Sequence, residues 1–232
     1  MLACSFALGL TRALDAQTGA DDVRGLPLMW IEPTGALSHR VVIVLSGDGG
    51  FAELVTHLGK GLASRGFGVV GFNSRAFLSP KKSPDETAAA VARVVRAAMA
   101  RWKGDSIVLI GYSRGADLAP FVANRMPTDL HDRVSAIAMF GLARMANFEF
   151  HWTDLVKDTP RDSDVPILPE LLRLRGLPMV CVYGEDEPTS GCRDAPDDLL
   201  RKEPRKGGHH FDGDLEALVE TVLRLLGRPS GS

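Results

Sequence analysis

Five uninterrupted apolar runs punctuate the chain: Val41–Ser46 (VVIVLS), Phe67–Phe72 (FGVVGF), Ser106–Ile110 (SIVLI), Val134–Phe140 (VSAIAMF) and Met179–Tyr183 (MVCVY). A strand that is apolar at every position, rather than at alternate ones, has to be covered on both faces. The stretches between the runs carry the helical spacing that supplies such covers. One helix is expected from about Ala52 to Ser64. Ser83-Pro84-Asp85-Glu86 reads as a capping box with proline at the first helical position, and the helix it opens lines up Val91, Val94, Val95, Ala98, Met99 and Trp102 on one face. Further helices are expected from Arg114 and along Leu215, Leu218, Val219, Val222 and Leu225. The alternation predicts an α/β fold, a mostly parallel central sheet with helices on both faces.

A length of 232 residues suits one such domain, assigned here to 26–232, after an N-terminal segment 1–25. With 45% hydrophobic and 24% charged residues, the chain is neither disordered nor collagen-like. The irregular stretch Ala143–Gly176 reads as an insertion above the sheet edge, and loops of that length are usually functional. A formal charge of −2 gives no field that would draw the protein to nucleic acid, and no nucleic-acid partner is expected. No apolar run approaches the roughly 18–20 residues of a membrane helix. The nine-residue stretch Leu2–Leu10 has the length of a signal-peptide core but lacks a basic segment before it, so it reads either as the remnant of an export signal or anchor, or as a plain packed segment. A bridge between Cys181 and Cys192 would close a short loop, contribute roughly 2–3 kcal/mol and indicate an oxidising compartment. Spacing alone is equally compatible with one buried thiol and one loop thiol, and Cys4 is left over.

The chemistry concentrates in Gly111-Tyr112-Ser113-Arg114-Gly115, a G-x-S-x-G that directly follows a buried strand and directly precedes a helix. That is the setting of a nucleophile elbow, in which a sharp turn projects the serine Oγ at the top of the sheet. The Arg114 amide at the helix start is then available to a developing oxyanion. A second donor is expected after the earlier strand, in Ser46-Gly47-Asp48-Gly49-Gly50, from the amide of Asp48 or Gly49. A phosphate loop is the rival reading of those glycines, but neither G-x-x-x-x-G-K-[ST] nor G-x-G-x-x-G is present. Serine needs a base oriented by an acid, and in chain order the acid precedes the histidine. Gly207-Gly208-His209-His210 supplies the base, with His209 favoured over His210 because it follows the glycines. Gly184-Glu185-Asp186-Glu187 supplies the acid, as Glu187 or Asp186. No metal and no cofactor are called for.

At these motifs the sequence resembles the VirJ/AcvB family of bacterial virulence-associated proteins, within the α/β-hydrolase superfamily. The similarity runs from about Val41 to Leu226 through SGDGG (46–50), GYSRGAD (111–117), DRV (132–134), FEFH (148–151), CVYGEDE with Cys192, and GGHHFDGD (207–214). Phe51 departs from the tryptophan usual there. Thr189-Ser190 lacks the acidic residue expected before the serine, which moves the acid role toward Glu187 or Asp186. The resemblance implies an α/β-hydrolase fold, a Cys181–Cys192 pair, and a periplasmic serine hydrolase that removes the aminoacyl group from aminoacyl-phosphatidylglycerol. Such a substrate carries an ammonium beside the scissile carbonyl and a phosphate farther away. Asp117, Asp212 and Asp214 are the candidates for the ammonium and Arg114 for the phosphate, the alternatives being that Asp117 complements the start of its helix and that the Asp212-Gly213-Asp214 residues cap the final helix; Phe148, Phe150 and Trp152 read either as a lipid-facing rim making brief membrane contact or as core residues of the insertion. The alternatives are a generic small-ester carboxylesterase and a non-catalytic virulence- or secretion-associated binding protein.

Overall fold

The computed structural model describes residues 22–155 and 160–227. The Leu2–Leu10 stretch and Cys4 lie outside the described residues. Apolar runs become strands as expected, in the order β1 (Leu28–Ile31), β2 (Arg40–Leu45), α1 (Glu53–Ala63), β3 (Gly68–Phe72), α2 (Pro84–Trp102), β4 (Ser106–Tyr112), α3 (Arg114–Asn124), β5 (Val134–Phe140), β6 (Met179–Gly184), β7 (Arg201–Arg205) and α4 (Leu215–Leu225). Among the described residues these strands form a seven-stranded sheet in the spatial order β1-β3-β2-β4-β5-β6-β7. Every neighbouring pair is parallel except β1–β3.

Successive strand side chains point to opposite faces, and the core is divided accordingly. Val41, Ile43, Leu45, Ile107 and Leu109 pack with α2 and α3 on one face, and Val42, Val44, Val108 and Ile110 pack with α1 and α4 on the other. The capping box forms: the Glu86 amide donates to Ser83 Oγ at 3.1 Å and the Ser83 amide to Glu86 Oε2 at 2.7 Å.

Two edge strands have no counterpart in the sequence reading. β1 (LMWI) is only half-buried. β7 (RKEPR) has neither a β-branched residue nor an apolar alternation. It is held instead by its pairing with β6 and by Glu203, which accepts from Arg201 Nη2 (2.9 Å), Thr221 Oγ1 (2.8 Å), Arg205 Nη2 (3.1 Å) and Arg224 Nη2 (3.2 Å) and so ties the strand to α4.

The stretch 143–176 contains a two-residue antiparallel pair, Met145–Ala146 with Val165–Pro166, and a short helix, Leu168–Arg173. Its Glu170 is buried and binds Arg125 and Arg173 at 3.0 and 2.7 Å. Phe148 and Phe150 are core residues rather than rim, and Phe148 packs edge-on to Phe121 of α3 with ring centroids 5.2 Å apart.

Cys181, in the middle of β6, is disulfide-bonded to Cys192 with Cα atoms 5.6 Å apart. The bond closes the loop 184–191 over the end of β6, and the loop is pinned further by the Gly191 amide on Leu142 O at 2.8 Å. Thiol titration of the denatured, unreduced protein should therefore find one free thiol of the three cysteines. Replacing both bridge cysteines with alanine should lower stability by about 2–3 kcal/mol in urea titrations.

Candidate active site

β4 and α3 meet at Ser113, whose backbone sits at φ 53°, ψ −125°. A non-glycine residue there is strained by about 1–3 kcal/mol. The turn is enforced by close crossing. A Cβ on Gly111 would fall 2.3 Å from Gly115 O, and one on Gly115 would fall 2.0 Å from Leu45 O. Hydrogen bonds hold the serine from both sides: its amide donates to Phe140 O at 2.8 Å, and its carbonyl accepts from the Ala116 amide at 2.7 Å. The loop after β2 passes over the same point, where a Cβ on Gly47 would lie 2.9 Å from that of Ser113. Asp48 follows directly. Its carboxylate receives Arg114 Nε at 2.5 Å and Nη2 at 3.0 Å, and the Arg114 side chain is only 8% exposed.

His209 lies in the loop between β7 and α4, against the end of β5: a Cβ on Gly141, itself at φ 69°, would fall 2.6 Å from the imidazole Cε1. Ser113 and His209 thus both border Phe140-Gly141. Of the two carboxylates considered for the acid, Glu187 meets the imidazole, with Oε1 2.5 Å from His209 Nδ1, whereas Asp186 is exposed. Glu187 Oε2 accepts the Gly184 amide at 2.9 Å. Burial alone raises the Glu187 carboxyl, but the hydrogen bonds from His209 and Gly184 and the charge of the nearby imidazoles outweigh it, leaving its pKa below the ordinary 4.5. An ionised carboxylate can only accept, so His209 Nδ1 carries the proton and Nε2 is left as the basic nitrogen.

Tyr112 Oη lies 2.7 Å from His210 Nδ1, so the two histidines face different partners. Burial and the Glu187 charge push the Tyr112 pKa up to about 12, so the phenol is the neutral form throughout the neutral range.

Over residues 39–229 the sequence matches the family described as Bacterial virulence protein (VirJ). The chain belongs to this VirJ family. No curated protein matches it significantly. Solved structures with the same fold include MenH from S. aureus (13% identity, TM-score 0.62, covering 86% of this chain and 97% of that one). An alpha-beta serine hydrolase homologue from Coxiella burnetii is similar too (20%, 0.61, 86% and 90%), as is Est1E from Butyrivibrio proteoclasticus with ferulic acid bound (12%, 0.60, 88% and 96%). At these identities the likeness establishes the α/β-hydrolase fold.

In this VirJ-family chain several side chains weighed for substrate contact are engaged by the protein itself. The Arg114 guanidinium is buried on Asp48 and on Asn147 O at 3.2 Å, so it is not presented to a phosphate. Asp117 is buried, and its Oδ1 accepts the Ala143 amide at 2.8 Å, which gives it a structural post instead of an ammonium site. Asp214 caps α4 through the Ala217 amide at 3.2 Å. Asp212 is exposed on the His209 loop at φ 49°, beside Gly207. Trp152 is 70% exposed. The sequence reading missed Arg193, which donates to Glu187 O at 3.0 Å and Glu185 O at 2.9 Å and lies over the Tyr183 ring at 4.5 Å. Its only signal was adjacency to Cys192.

A carboxylate with a lowered folded pKa adds stability that is complete above its unfolded pKa and is lost as pH falls through the folded one. Glu187→Gln should therefore be less stable than the parent at neutral pH, with the gap closing as pH falls below 4.5. Denaturation at a series of pH values reads this, and a gap that is constant with pH would contradict it.

Proposed function

We propose that this protein is a serine hydrolase of carboxylic esters, with Ser113 as nucleophile, His209 as base and Glu187 as the orienting acid. The observation that carries the reading is the Glu187–His209 hydrogen bond, with His209 against Gly141 and the strained Ser113 bonded to the adjoining Phe140. In the reaction, Ser113 Oγ attacks the ester carbonyl carbon while His209 Nε2 takes its proton. The Arg114 amide and that of Asp48 or Gly49 receive the oxyanion. The tetrahedral intermediate collapses, His209 returns the proton to the leaving alcohol oxygen, and an acyl-serine remains. Water repeats the sequence from the other side and releases the acid.

A Ser113→Ala variant should lose fluorophosphonate labelling and at least about 10³-fold in kcat, because such residues act as a unit. Glu187→Gln should cost far more activity than Asp186→Asn. A folded Ser113→Ala protein with undiminished ester hydrolysis would sink the reading.

For the substrate, the family resemblance supports the aminoacyl ester of aminoacyl-phosphatidylglycerol, handled in the periplasm. The disulfide fits an oxidising compartment. No helix among the described residues is long and apolar enough to cross a membrane. Met145, Trp152, Leu168 and Leu172, four of the five large hydrophobic side chains exposed among the described residues, belong to the stretch 143–176, which suits brief contact with a lipid surface. With Asp117 and Asp214 engaged elsewhere, Asp212 is the carboxylate assigned to the substrate ammonium. In mixed micelles the free-amine lipid should be hydrolysed severalfold faster than its N-acetylated form, and Asp212→Asn should shrink that preference. Equal turnover of the two lipids would leave only the generic carboxylesterase.

A further inference from the structure

We propose that Tyr112 and His210 are positioning residues for the base: their side chains join to tie the His209 loop to the strand that ends at Ser113. The proposal rests on the serine-hydrolase reading and gives the second histidine of the pair its own role.

The loop that carries His209 does not hold its shape by local preference. Phe211 and Asp212 stand at φ 53° and 49°, a conformation that side-chain-bearing residues keep only where their surroundings impose it. At its root the loop is bound to the turn after β6. There the Asp186 amide donates to Gly207 O at 3.1 Å, and a Cβ on Gly184 would fall 2.4 Å from Gly208 O. Beyond the histidines, Phe211 is buried in the core face that includes Val182 and Val219. His209 and His210 stand between these two anchors.

Glu187 fixes His209 at Nδ1. One hydrogen bond at one ring atom sets a distance but lets the ring swing about it. A general base needs its free nitrogen held within reach of the hydroxyl it deprotonates, by groups that lock the ring. The further restraint comes from the strand side. Tyr112 Oη lies 2.7 Å from His210 Nδ1 and 3.5 Å from His209 O. The Tyr112 ring stands 5.6 Å from the His209 ring with an interplanar angle of 33°, and 6.5 Å from the Phe211 ring, edge-on. One buried side chain thus borders three successive residues of the loop, and its own backbone leads directly into Ser113. Nucleophile and base are referred to the same residue.

The tie does not depend on the charge of His210. A phenol both donates and accepts, and this one is neutral throughout the neutral range. With Nδ1 of His210 unprotonated, Oη donates to it. With Nδ1 protonated, its N–H donates to Oη and the phenol proton turns to His209 O. The loop is held in both cases.

The test measures hydrolysis of p-nitrophenyl acetate and the rate of fluorophosphonate labelling of Ser113. Tyr112→Phe removes the hydroxyl and keeps the ring. His210→Ala removes the other half of the contact from an exposed position, so it reads the same tie without altering the core. Each should lower kcat about 10- to 100-fold, the scale of a misplaced reacting group, slow labelling by a like factor and leave KM unchanged. The double variant should lose no more than the larger single loss, because both changes delete one contact. His210→Asn, whose amide reaches the position of Nδ1, should recover most of kcat, whereas His210→Leu should not. An unchanged kcat in both single variants overturns the proposal. So do losses that multiply in the double variant, a loss confined to KM, or a loss that His210→Asn shares in full. Failure of the hydrolase reading looks different: the parent itself would neither label nor hydrolyse the ester, or would hydrolyse it undiminished after Ser113→Ala, and the proposal would fall with it.

Discussion

A helix that starts one residue after a strand ends must cross its neighbours at backbone distance, and that crossing governs this molecule. Gly111 and Gly115 stand where any side chain would overlap Gly115 O or Leu45 O. Only because the backbones touch there can Ser113 be held in a conformation that an unconstrained serine would leave. The constraint is distributed: β5 accepts the serine amide, α3 returns to its carbonyl, and the two apolar faces bury α3 on one side and the sheet beneath it.

The loops at the carboxyl end of the sheet are then joined by polar contacts rather than by apolar packing. Asp48 meets Arg114, Asp117 meets the Ala143 amide, Ser46 meets the Ser74 amide, and Arg193 meets the two carbonyls flanking Asp186. Breaking a largely buried pair such as Asp48–Arg114 strands a charge, which typically costs about 3–5 kcal/mol. The first three link segments that follow different strands, and the Arg193 contacts close the segment after β6 on itself. The site is consequently a set of loops braced against one another, with Glu187 braced twice, by the Gly184 amide and by the disulfide-closed segment that follows it.

Much of this was legible in the chain because it depends on local pattern. Continuous apolar runs announce buried parallel strands, Ser83-Pro84-Asp85-Glu86 announces a helix start, and a serine between glycines at a strand–helix junction announces the turn. What could not be read depends on partners distant in sequence. β7 is a strand because β6 offers it a ladder and α4 supplies Thr221 and Arg224 to Glu203; its own residues, RKEPR, argue for a loop. Asp117 looks like a site residue next to Ser113, yet the amide it serves lies 26 positions away. Arg114 looks available to a substrate anion in the sequence, and only the fold shows its guanidinium held by the Asp48 carboxylate. That Glu187 and not Asp186 meets His209 is likewise a matter of side-chain direction in a turn, which the sequence of the turn does not carry.

The same β7 that escaped the sequence reading has a consequence for how copies of the molecule meet one another. An open sheet exposes its last strand as a template on which a foreign strand can add, the first step toward aggregation. Here that border is written in Arg201, Lys202, Glu203, Pro204 and Arg205. Proline withholds one amide from any would-be ladder, the basic side chains repel an identical border on a second molecule, and the acidic one is already occupied by its own arginines. A strand with poor intrinsic tendency to be a strand is thus a safe terminus: it pairs where β6 compels it to, and offers little to a stranger.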